Sequence, residues 1–97
     1  MRIKFEFEKV STVGDLDKRL ARFFSRMERK MSSFREDFRM VWVNVRKERG
    51  VYRVKGKMKL PGKQIVAEEK GGNLLGVVVK VRDRLLRQIE RYKKPRH

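Results

Sequence analysis

The chain has 97 residues, with 28 Lys and Arg against 12 Asp and Glu, for a formal net charge of +16. That length fits one domain, residues 1–97, around one modest core, and the charge favours polyanionic partners: nucleic acid first, an anionic membrane second. With no Cys and a lone His97, a disulfide framework, a thiolate or paired-His metal site and a thiol nucleophile are excluded, and no run approaches the ~18 apolar residues of a membrane span.

Arg2 to Val10 alternates Ile3, Phe5 and Phe7 with Arg2, Lys4, Glu6 and Glu8. This predicts a half-buried strand and not a targeting peptide, so a cytoplasmic location is expected. Thr12 with Asp15 has the form of a capping box. From Leu16 the period becomes helical. Leu16, Leu20, Phe23, Met27, Met31 and Phe34 share a stripe with Phe24 at its edge, and the helix is expected to end near Ser33 or Phe34.

Met40 to Arg46 predicts a second strand, with Val41, Val43 and Val45 on one face and Trp42 and Asn44 on the other. Glu48-Arg49-Gly50 is a turn. Val51 to Leu60 is a third strand, with Tyr52, Val54, Gly56, Met58 and Leu60 facing one way and Arg53, Lys55, Lys57 and Lys59 the other. Pro61-Gly62 turns the chain into a short fourth strand, Gln64 to Glu68, with Ile65 and Ala67 inward.

Asn73 caps a long helix with Leu74, Val78, Val81, Leu85, Ile89 and Tyr92 on one stripe, stopped by Pro95. Residues beyond about 94 are expected to be flexible. The order is β-α-β-β-β-α, an α+β fold. Two helices cannot cover both faces of a four-stranded sheet, so both are placed on one face. Strands one and two, joined through a helix, are expected to be parallel and the remainder antiparallel.

Rotation by about 100° per residue locates the charge. Lys18, Arg19, Arg22, Arg26, Arg29 and Lys30 collect opposite the first helix's apolar stripe. Lys80, Arg84, Arg87, Arg91 and Lys94 line up on the second helix, with Asp83 and Glu90 to one side. The ordinary reading of such stripes is a solvated face, but those usually interleave Glu with Lys. Like charges four residues apart cost stability that bound phosphates would offset, and Arg suits phosphate through its planar fork. The helical residues Lys18, Arg22, Arg26, Arg29, Lys80, Arg84, Arg87, Arg91 and Lys94 are therefore the candidate RNA-binding set. Arg53, Lys55, Lys57 and Lys59 on the outer sheet face are secondary candidates, because an exposed Lys row also protects against strand-to-strand aggregation. If Val41, Val43 and Val45 face the helices, Trp42 is on the same outer face, where it would cover neighbouring strand residues, pack in a dimer or stack on a base; the reverse register would put it in the core.

Catalytic signals are missing. Ser11, Ser25, Ser32 and Ser33 have no partner His, and Gly71-Gly72 lacks the spacing of a phosphate-cradling loop. Glu68 and Glu69 alternate faces in a strand and do not form a shared cation site. No enzyme activity, metal or cofactor is expected.

The element order and several stretches resemble the ribosome hibernation promoting factor and ribosome-associated inhibitor family, once called sigma-54 modulation proteins. The resemblance spans nearly the whole chain. Asp15 to Arg29 resembles the family's first helix. Val54 to Asn73 resembles its hairpin, with Pro61-Gly62 at the turn and Ile65-Val66-Ala67 in the last strand. Asn73-Leu74-Leu75 stands where the family carries Asp-Met-Tyr, which keeps the cap but loses the aromatic hydroxyl. Arg84-Leu85-Leu86-Arg87-Gln88-Ile89-Glu90-Arg91 resembles Lys-Leu-x-Arg-Gln-Leu-x-Lys. The resemblance implies a fold similar to double-stranded RNA-binding domains, binding in the tRNA and mRNA channel of the small ribosomal subunit, rRNA contacts through Arg84, Arg87, Arg91, Arg26 and Arg29, and stalled translation in resting cells. It leaves open whether ribosome dimers are promoted; the protein itself is expected to be a monomer. A general double-stranded RNA or DNA binder without ribosome specificity is the alternative. A membrane-surface role for the first helix is disfavoured, because its apolar stripe is needed for the core.

Overall fold

The computed structural model describes residues 1–11 and 14–94. The elements are β1 (Arg2–Glu8), α1 (Leu16–Phe24), α2 (Met27–Met31), a 3-10 turn (Glu36–Phe38), β2 (Met40–Glu48), β3 (Val51–Leu60), β4 (Lys63–Gly71) and α3 (Leu74–Lys93). The four strands form one sheet in the order β1-β2-β3-β4. β1 and β2 pair in parallel, and the other two pairings are antiparallel, as the crossover argument expects.

The helices cover one face of this sheet. Val41, Val43, Val45, Val54, Met58, Leu60, Ile65 and Ala67 point into a core completed by Leu20, Phe24, Met27 and Met31 and by Val77, Val78, Val81, Leu85 and Ile89. The period-2 and period-3.6 patterns converge on that layer, where apolar burial contributes about 25 cal/mol per Å². Trp42 accordingly lies on the opposite, uncovered face.

Several boundaries differ from the sequence reading. β1 ends at Glu8, two residues before Val10. The first helix is interrupted: the Ser25 hydroxyl donates to the Arg22 carbonyl at 2.7 Å, and the Ser25 N–H bonds Arg22 at 3.3 Å. This i−3 bonding tightens the turn and separates α1 from α2. Phe24, placed at the stripe's edge, is fully buried and meets Phe5 edge-on at 6.3 Å, whereas Phe23 is half-buried. α2 ends at Met31 because the Arg39 guanidinium draws the chain around, donating to the carbonyls of Phe34 at 2.8 Å and Ser32 at 3.0 Å.

β2 runs on to Glu48, and β4 spans Lys63–Gly71 instead of Gln64 to Glu68. Tight two-residue turns close both hairpins, so pairing continues to the turns despite polar side chains there. Arg49 and Gly50 both have positive φ, 51° and 77°, as a type I′ turn requires. Pro61 precedes Gly62 at φ 75°, the arrangement of a type II turn. Asn73 caps α3 as expected, its Oδ1 accepting from the Gly76 N–H at 3.0 Å. Asp15 occupies the N-cap position of α1 without a side-chain cap bond, so the helix starts later than a Thr12 box would place it. Thr12 itself, the stop at Pro95 and the terminal segment lie outside the described residues.

Candidate nucleic-acid interface

α3 lies between the α1–α2 layer and strand β4, and its two flanks do different things. On the α1–α2 side, Lys93 Nζ donates to the Lys30 carbonyl at 2.8 Å, and Lys30 pairs with Glu90 at 3.3 Å. Arg82 reaches from α3 to the Phe23 carbonyl at 3.3 Å and grips Asp83 Oδ1 through Nε at 3.0 Å and Nη2 at 2.9 Å. The Phe23 carbonyl lies in the last turn of α1, where a cation is favoured by the helix dipole. Arg82 is 9% exposed; the sequence reading assigned it no role. Its signal is positional: it directly follows Val81 and sits 40° from Val78 around the helix, on the flank of the apolar stripe.

On the β4 side, three side chains of α3 donate to backbone carbonyls. Arg84 bonds Glu68 at 2.9 Å, Gln88 bonds Val66 at 2.8 Å, and Tyr92 bonds Pro61 at 2.7 Å. β4 is a sheet edge, and the bonds to Val66 and Glu68 occupy carbonyls that its missing neighbour leaves open, while the bond to Pro61 ties down the β3–β4 turn.

All nine candidates, Lys18, Arg22, Arg26, Arg29, Lys80, Arg84, Arg87, Arg91 and Lys94, are exposed; Lys94, placed on the helix by rotation, is instead the C-cap of α3 with extended backbone, so it stands beyond the end of the stripe. Arg84, Arg87 and Arg91 share a concavity with Lys63, Val66 and Gln88, so β4 adds a cation, Lys63, that the sequence reading left out. Arg84 is not equivalent to its neighbours. It is held by Glu69 at 2.6 Å, so its charge is partly compensated. Ser25 and Arg26 keep right-handed helical backbone across the break, so Arg26 and Arg29 continue the stripe of Lys18 and Arg22.

The two stripes do not merge into one uninterrupted basic plane. Asp83 and Glu90 face the inter-helix side of α3, where Arg82 and Lys30 neutralise them. The result is two tracks of cations, of which only Arg84 is paired with a carboxylate among the described residues, flanking a neutral seam. Arg53, Lys55, Lys57 and Lys59 lie on the opposite sheet face and form a separate surface. Among the described residues, no three His, Cys, Asp or Glu side chains converge on a metal-sized site, and no helix is long and apolar enough to cross a membrane. The geometry presents rows of exposed guanidinium groups, whose planar fork is suited to phosphate, along the helices.

No protein-family model and no curated protein matches the chain. Solved structures do. The chain is similar to the Protein Y N-terminal domain of Thermus thermophilus, with a TM-score of 0.78 and 21% identity over 96% of this chain and 100% of that one. It is also similar to a ribosomal subunit interface protein from Coxiella burnetii, with a TM-score of 0.67 and 19% identity over 96% of this chain and 98% of that one. Coverage of both partners nearly end to end makes this a likeness of whole architecture: the chain has the fold of the Protein Y N-terminal domain.

Proposed function

We propose that this protein is a non-catalytic, ribosome-binding translation inhibitor of the hibernation promoting factor family, acting in the cytoplasm. It occupies the tRNA and mRNA channel of the small subunit and contacts rRNA phosphates through α1, α2 and α3. The observation that carries this reading is the pair of exposed Arg-rich helical tracks on a fold shared with a ribosomal subunit interface protein. Folded RNA is recognised chiefly by shape and by phosphate and 2′-hydroxyl contacts, for which rigid rows of guanidinium groups are suited.

The test is co-sedimentation with purified small subunits at low salt, with and without initiator tRNA. The protein should travel with the subunit and be displaced by the tRNA. A general duplex binder would bind duplex RNA equally well and would not be displaced.

A further inference from the structure

The sheet face turned away from the helices carries a second arrangement. Lys4, Trp42, Lys57 and Val66 stand in one row across all four strands. Strands are about 4.8 Å apart, so Lys4 and Lys57 straddle the indole at about 10 Å from one another. Lys55 lies in the next row beside Asn44. Lys4, Glu6, Trp42, Asn44, Lys55 and Lys57 line a shallow open concavity of about 540 Å³.

Two features mark this surface as unpartnered. The aromatic pairs of the molecule, Phe5 with Phe7 and Phe24, and Phe34 with Tyr92, are on the helix side. Trp42 joins none of them and receives no cation of the protein over its ring among the described residues. Of the acids on this face, Glu6 and Glu8 are engaged by Asn44 Nδ2, which donates to them at 3.2 Å and 2.9 Å, Glu48 pairs with Arg46 at 2.6 Å, and Glu68 stands across from Lys55, one row away from Trp42. Lys4, Lys55 and Lys57 have no carboxylate within ion-pairing distance among the described residues.

We infer that this face is a second nucleic-acid site, which binds a single-stranded segment by stacking a base on Trp42 and holding the flanking phosphates with Lys4 and Lys57. An aromatic ring between unpaired cations is the combination that single strands use, since every base has a π-face and every link a phosphate. A duplex cannot reach the ring, because its bases are already stacked. A second copy of this chain is a poorer occupant, because face-to-face contact would set the same lysines against each other, and Glu6, Glu8 and Glu68 are fewer than the cations Lys4, Arg53, Lys55, Lys57 and Lys59 on this face.

Trp42 is the only Trp, so its emission reports this site alone. The experiment titrates the full chain with hexauridylate and, separately, with a short blunt RNA duplex. Hexauridylate should quench Trp42 saturably, and the duplex should not. The log–log salt slope should be near 1.4, two phosphates at about 0.7 each for a single strand. Followed by anisotropy of labelled hexauridylate, Lys4→Ala with Lys57→Ala should weaken binding at least tenfold. Trp42→Ala should weaken it at least fivefold, with Trp42→Phe recovering part of the loss. Circular dichroism melts confirm that each variant is folded. Absent quenching, equal quenching by the duplex, or a Trp42 emission shift that tracks dimer formation in sedimentation without RNA would overturn the inference.

Discussion

Arg82 and Arg84 are two residues apart on one helix and are used in opposite directions. Arg82 is turned inward across the helix pair, to Asp83 and the Phe23 carbonyl, and its side chain is 10% exposed. A charge so placed is costly to orphan, and hydrogen bonds to charged groups are worth about 1.5–3 kcal/mol. Arg82→Met should therefore lower stability by about that amount. In a domain of this size that is a fall in Tm of roughly 4–8 °C per kcal/mol, readable by thermal melts, with the folded variant still binding RNA. Arg84 is turned outward and is held by Glu69, so in the proposed interface it would offer phosphate less charge than Arg87 or Arg91. Composition treats Arg82 and Arg84 alike; their partners separate them.

At the scale of elements, α3 and β3 approach closely because β3 carries Gly56 beneath the helix. A Cβ at that position would lie 2.9 Å from Leu85 Cδ1 and 2.9 Å from Val81 Cγ1. Gly56→Val should overpack this contact and cost about 1–3 kcal/mol, seen as a lowered urea midpoint with unchanged m-value. Strand and helix faces were legible in the sequence because burial repeats with the backbone period: Val41, Val43 and Val45 had to share one face and Trp42 take the other, while which of the two faced the core was settled by the helices' position. The break at Ser25 was not legible, since it depends on a hydroxyl choosing the i−3 carbonyl in a stretch that keeps its apolar stripe. The full length of β4 was hidden for a related reason. Its ends, Lys63 and Glu69 to Gly71, pair because tight turns and β3 bring them there, against their own strand preference. The candidate helical residues could be assigned to a face by rotation alone. The role of Arg82 and the compensation of Arg84 could not, because both depend on which element lies alongside α3.

Across the whole molecule, whose net charge is +16, the candidate cations of the helices and those of β3 lie on two opposite faces of one sheet. The helix face carries guanidinium groups in two tracks beside a neutral seam, and the open face carries lysines around Trp42. The tracks predict electrostatics dominated by discrete phosphate contacts. Removing Arg87 and Arg91 together by Arg→Ala should weaken binding to structured RNA and reduce the log–log salt slope by about 2, at about 0.9 per phosphate. Because both side chains are exposed, the melting temperature should hardly move, which separates lost binding from lost fold. The most direct test of the central claim is the gradient profile of the protein with small ribosomal subunits at low salt, with and without initiator tRNA. Co-migration with the subunit that initiator tRNA abolishes is the predicted result; protein left at the top of the gradient, or co-migration indifferent to tRNA, would contradict it.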